Sequence, residues 1–129
     1  MGRVLAVANQ KGGVGKTTTA VNFAASLVVA DQSVLLVDLD PQGNASTGLG
    51  LVPGSVPRGT YRGLIGEVPM ADLIYETEMP GLSLIGANQD LAAAELELVD
   101  DEDRALRLRQ ALAPLRDRFD YIVVDCPPS

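Results

Sequence analysis

With 129 residues, 47% of them apolar and 21% charged, the chain has the make-up of one globular domain or part of one, large enough to bury a core. A net charge of −7 argues against a direct nucleic-acid contact surface, which leaves a basic footprint. Most of that charge sits in the second half, around Glu95, Glu97, Asp100, Asp101, Glu102 and Asp103, a pattern that suits a solvated helix boundary. The single Cys126 excludes an internal disulfide framework and fits a reducing cytoplasm. No apolar run is long enough to span a membrane, and the first one is too short for a signal peptide.

Val4-Leu5-Ala6-Val7-Ala8 is a short apolar run closed by Asn9 and glycines. Without alternation it reads as a strand covered on both faces, as in a parallel sheet. Beyond a glycine-rich loop, Ala20, Phe23, Ala24, Leu27 and Val28 recur at helical spacing between residues 16 and 30. Val34-Leu35-Leu36-Val37 is a second buried strand, ended by Asp38-Leu39-Asp40-Pro41. Strand, loop, helix and strand make the right-handed crossover unit of α/β folds. Residues 41–60, rich in glycine, proline, serine and threonine, predict a long loop with at most a turn or two of helix. Loops of that length are often functional.

Short helices are expected near 61–66 and 70–77, a third strand at 82–85, and a helix rich in Ala, Leu and Glu over 90–98. Between 103 and 119, Ala105, Leu108, Leu112, Leu115 and Phe119 form one stripe of a better-defined helix, which Pro114 should bend. Tyr121-Ile122-Val123-Val124-Asp125 is a fourth buried strand. The order predicts a three-layer α/β fold with a mostly parallel sheet. Such a sheet needs a covering helix after its last strand, so the sequence reads as cut short, with an open edge and an uncovered apolar face at that strand.

The chemistry lies in Lys11-Gly12-Gly13-Val14-Gly15-Lys16-Thr17-Thr18, between the first strand and helix. A polyphosphate needs backbone N–H groups aimed inward, a helix N-terminus behind it and a cation. Gly12, Gly13 and Gly15 permit the close backbone approach, Lys16 reaches the β- and γ-phosphates, and the Thr17 hydroxyl is placed to ligate Mg2+. The strict phosphate-loop pattern wants glycine at Gln10, so this is the K-G-G-x-G-K-T variant, the deviant Walker A form. Two aspartate motifs follow later strands. Asp38 and Asp40 stand where a carboxylate orients a water or holds a cation's hydration shell, although Asp-Pro is also a common turn initiator. Asp125, ending an apolar strand downstream of the loop, has the Walker B arrangement that binds Mg2+ through water. Together they predict a P-loop NTPase fold built around ATP and Mg2+. Cys126 has no histidine partner anywhere in the chain and needs no catalytic role.

These motifs together resemble the ParA/Soj partition ATPases, within the larger family that also holds MinD and the nitrogenase iron protein. Lys11 matches the family's signature lysine, and Asp38-Leu39-Asp40-Pro41-Gln42-Gly43-Asn44 looks like the ParA form of the second motif. Leu84-Ile85-Gly86-Ala87-Asn88-Gln89-Asp90-Leu91-Ala92 and Ala94-Glu95-Leu96-Glu97-Leu98 are similar to Soj segments, with Gly86 where many members have proline. The resemblance implies that residues 1–129 are the N-terminal part of a single ATPase domain. It assigns Lys11 to the phosphates of the opposite subunit in an ATP-bound homodimer and Lys16 to those of its own. Thr17 would bind Mg2+, Asp40 would orient the attacking water and Asp125 would hold the metal shell, with Asp38 a further metal candidate. Gly12 would lie where two loops approach across the interface.

The implied role is an ATP-driven dimerisation switch in chromosome or plasmid partition, stimulated by a ParB-type activator. Nonspecific DNA binding would reside in the family's C-terminal half, so no DNA contact is expected among these residues. The implied location is cytoplasmic and nucleoid-associated, without a membrane. A start directly at the first strand favours the short chromosomal-type subgroup. Two alternatives stay open: a truncated chain that binds nucleotide weakly or only self-associates, and a MinD-like division-site ATPase, which would need a C-terminal amphipathic helix.

Overall fold

The computed structural model describes residues 2–7, 14–39, 46, 49, 59–87 and 101–125, with 14–19 and 101–105 described by backbone alone. Strand β1 (Arg3–Val7) leads towards helix α1 (Val14–Val29). The helix ends in a left-handed turn at Asp31, φ 63°, where the Asp31 and Gln32 amides donate to the carbonyls of Val28 and Leu27. Strand β2 (Val34–Asp38) is buried throughout. A short helix α2 (Thr60–Leu64), a 3-10 turn (Met70–Leu73) and strands β3 (Ile74–Glu76) and β4 (Leu82–Ile85) follow. Helix α3 (Asp101–Leu112) passes into a 3-10 turn (Ala113–Leu115) before β5 (Tyr121–Asp125).

The five strands form one sheet in the order β1-β5-β2-β4-β3. The first four run parallel, and β3 returns antiparallel to β4. Strands β5, β2 and β4 are largely apolar and buried because helices cover both faces. Strand β1, expected to be covered on both faces, is instead exposed at Arg3, Val4 and Ala6 and half-buried at Leu5 and Val7, because it lies at the border of the described sheet. Alternation sends Val34, Leu36, Leu82, Leu84 and Val123 to one face, where they pack with Ala24, Leu27 and Val28 of α1. Leu35, Val37, Ile85, Ile122 and Val124 go to the other, against Leu64, Met70, Leu73, Leu112 and Leu115. The expected three-layer, mostly parallel architecture is therefore present.

The register of β2 against β5 is held at its start by a two-point clasp. Asp120 Oδ2 accepts from the Ser33 amide at 2.8 Å and the Ser33 hydroxyl at 3.2 Å. In return the Asp120 amide donates to the Ser33 carbonyl at 2.9 Å. At the start of β1 the chain approaches the segment after α3 so closely that only Gly2 fits; a Cβ there would sit 2.1 Å from the Phe119 carbonyl oxygen.

Several expectations need correction. Residues 70–77 are a single 3-10 turn and a strand, not a helix, because the edge of β4 offers Ile74, Tyr75 and Glu76 a ladder to join. The helix expected to run to Phe119 stops as α-helix at Leu112. Pro114 lacks the N–H that would continue it, and the chain tightens into a 3-10 turn rather than bending. Its apolar stripe is correct where described, with Leu112 and Leu115 buried and Leu108 and Phe119 packed against them. Phe23 departs from the α1 stripe and is 38% exposed. Strand β5 is not an edge: it lies between β1 and β2, and β1 borders the described sheet with Val4 42% exposed. The helix expected over 90–98 lies outside the described residues, as does most of the predicted loop at 41–60. Among the described residues no helix is long and apolar enough to cross a membrane.

Candidate nucleotide-binding site

Val7, Asp125 and Asp38 are the last residues of β1, β5 and β2, and they stand in one register row, Val7 opposite Asp125 and Asp125 opposite Asp38. Neighbouring strands lie about 4.8 Å apart, so the two aspartates are adjacent. By alternation both share the sheet face of Val34, Leu36 and Val123, which is the face covered by α1. The insertion of β5 between β1 and β2 creates this row. It also sets Asp125 beside the strand from which the glycine-rich loop departs, at the carboxyl ends of parallel strands, where α/β sheets bind ligands.

Val14, Gly15, Lys16, Thr17 and Thr18 are the first five residues of α1, so the helix begins inside the motif, two residues earlier than its apolar periodicity suggests. The first four amides of a helix have no intrahelical carbonyl partner and aim along the axis at whatever lies ahead. No acidic residue stands in this first turn, which leaves the positive end of the helix dipole available to an anion. Lys11, Gly12, Gly13 and Asp40 lie outside the described residues.

Asp38 and Asp125 are both fully buried. Asp38 Oδ2 accepts from the Ser46 amide at 2.9 Å and from the Ser46 hydroxyl at 2.7 Å. The same hydroxyl oxygen accepts from the Ala87 amide at 3.0 Å, just beyond β4. Thr60, also fully buried, donates through Oγ1 to the Asp38 carbonyl at 2.8 Å and lies 3.1 Å from the Gly86 carbonyl. Its amide donates to that Gly86 carbonyl at 2.9 Å, and the Leu39 amide donates to the Asp125 carbonyl at 3.0 Å. The carboxyl ends of β2, β4 and β5 and the start of α2 are thus tied into one polar frame. Sequence reasoning missed Ser46, Thr60 and Ala87. Each sits in a stretch of small and polar residues with no spacing rule that marks it.

Two buried carboxylates on adjacent strands repel, and their burial is costly without donors or a cation to compensate. Oxygen donors of this kind fit a hard cation such as Mg2+, which takes one or two carboxylates and completes its shell with water and phosphate oxygens. Among the described residues no group of three or more His, Cys, Asp or Glu side chains that could hold a metal ion is present.

The family model for the AAA domain AAA_31 matches residues 2–129. The chain belongs to this family. It is 50% identical over 129 residues to the chromosome partitioning protein ParA of Myxococcus xanthus, covering all of this chain and 46% of that protein. It is 47% identical over 129 residues to the sporulation initiation inhibitor protein Soj of Bacillus subtilis, covering all of this chain and 51% of that protein. Among solved structures, cobyrinic acid a,c-diamide synthase from Mycobacterium smegmatis, with bound ATP analog and magnesium, superposes at a TM-score of 0.92 and 46% identity. That match covers 100% of this chain and 52% of the other. The chain therefore spans about half the length of the relatives it matches. The expected ParA/Soj resemblance and P-loop NTPase fold both hold for this AAA-family member.

Proposed function

We propose that this chain is the N-terminal part of a single Mg-dependent ATPase domain of the ParA/Soj type, acting as an ATP-driven dimerisation switch in chromosome or plasmid partition. The observation that carries this is the row Val7, Asp125 and Asp38 on the α1 face, with α1 starting inside the glycine-rich motif. The α1 amides and Lys16 hold the nucleotide phosphates, and Thr17 is the protein's direct oxygen ligand for the cation. Asp125 and Asp38 orient that cation's water shell. When bound, Mg2+ neutralises charge on the phosphates. Asp40 positions the attacking water, and Lys11 reaches the nucleotide of a second copy, with Gly12 at the point of closest approach. The relative with bound ATP analog and magnesium supports the same ligand pair here.

The homodimer, a ParB-type activator and nonspecific DNA bound by the remaining half of the family length are the proposed partners. The proposed setting is the cytoplasm, at the nucleoid. ATP turnover measured beside a Lys16→Ala variant tests the enzymatic part. Turnover that depends on Lys16 is expected, and equal rates in the two proteins would remove hydrolysis from this chain.

A further inference from the structure

We infer that Ser46 is a positioning residue of the cation site, a hydroxyl relay that fixes the Asp38 carboxylate and joins it to the backbone at the end of β4. The inference rests on the magnesium–nucleotide reading proposed above. Its basis is the direction of the hydrogen bonds. The Ala87 amide can only donate, so Ser46 Oγ accepts from it at 3.0 Å. The single hydroxyl proton of Ser46 is then left for Asp38 Oδ2, 2.7 Å away. Each bond in such a chain polarises the next, so the carboxylate sees a stronger donor than an isolated hydroxyl.

The Ser46 amide donates to the same Oδ2 at 2.9 Å. Two donors from one residue onto one carboxylate oxygen fix the rotation of the Asp38 side chain as well as its place. All the partners are buried: Asp38 and Ser46 are 0% exposed and Ala87 is 0% exposed, so no solvent substitutes for a lost bond. The groups that orient a ligating side chain matter nearly as much as the ligand itself, and losing one typically costs 10- to 100-fold in metal affinity. Because Asp38 would act through the hydration shell, roughly tenfold is expected for Ser46. The relay also gives the cation site a mechanical outlet, since any turn of the Asp38 carboxylate is felt at the Ala87 amide.

The test compares ADP binding by calorimetry, with Mg2+ and with a chelator, for the wild-type chain, Ser46→Ala and Ser46→Thr. The wild type should bind ADP more tightly with Mg2+. Ser46→Ala should lose about tenfold of Mg-ADP affinity while binding metal-free ADP as the wild type does, and Ser46→Thr, which keeps a hydroxyl, should recover most of the loss. A second measurement needs no variant: in the wild-type nitrogen–proton spectrum, adding Mg2+ to the ADP-bound chain should shift the Ala87 amide resonance. Ser46→Ala affinity within twofold of wild type, or an Ala87 resonance indifferent to Mg2+, overturns the relay and leaves the site reading standing. A wild type whose ADP affinity ignores Mg2+ overturns the site reading itself.

Discussion

Replacing Thr60 by valine deletes one hydroxyl and keeps the side-chain volume, so no cavity term complicates the result. Thr60 is fully buried, and its Oγ1 reaches the Asp38 carbonyl at 2.8 Å and the Gly86 carbonyl at 3.1 Å. Gly86 retains the Thr60 amide at 2.9 Å as a donor, so the cost falls chiefly on the Asp38 carbonyl. A buried acceptor that loses its donor costs about 1–3 kcal/mol, against about 1 kcal/mol net for an average hydrogen bond. The lower half of that range, about 1–2 kcal/mol, is expected here because the hydroxyl has a single proton to donate. With a urea m-value of roughly 2 kcal/mol/M, the middle of the usual range, the midpoint should fall by about 0.5–1 M at unchanged slope. Urea unfolding followed by circular dichroism reads this directly. A Thr60→Val midpoint equal to or above that of the wild type would refute the idea that this hydroxyl ties the end of β2 to α2.

Leu112→Ala in α3 removes a side chain 1% exposed within the core beneath the sheet, and should cost about 2–5 kcal/mol in thermal unfolding. Leu106→Ala, six residues earlier on the same helix and 49% exposed, should stay within about 0.5 kcal/mol of wild type. Two left-handed turn positions should respond with opposite signs. Asp31→Gly, at φ 63°, should raise stability by roughly 0.5 kcal/mol, while Gly81→Ala, at φ 93° and with its Cβ 3.2 Å from Val28 Cγ1, should lower it by about 1–2 kcal/mol. Finding both changes destabilising would mean that Asp31 makes up its backbone strain locally.

Four of the five strands were legible in the sequence as apolar runs. In β2, β4 and β5 the run records burial on both faces of a parallel sheet, as in Val34-Leu35-Leu36-Val37, whereas β1 carries the same kind of run yet is largely exposed. The fifth, Ile74-Tyr75-Glu76, was not, since a three-residue edge strand exists only by virtue of the neighbour it pairs with. The glycine-rich motif announced the phosphate loop because its chemistry is local. The adjacency of Asp38 and Asp125 was not local: it depends on β5 entering between β1 and β2, and nothing in either strand specifies that slot. Ser46 was hidden for a related reason. Its meaning comes from a carboxylate eight residues earlier and an amide forty-one residues later.

The slot taken by β5 also dictates an order of assembly. Strands β1 and β2 never pair with each other; β1 is hydrogen-bonded to β5, with Arg3 opposite Tyr121. Until the chain has been made as far as Asp125, the stretch from β1 through α1 has no ladder to hold it and no second aspartate beside it. Closing so long a loop slows folding, because its entropy is lost before the contacts form. During synthesis, which runs from the N-terminus, the glycine-rich motif is encoded well before the strand that frames it. A phosphate ligand that binds only the finished row would then act as the reporter, and the thermodynamic lock, of β5 in its slot.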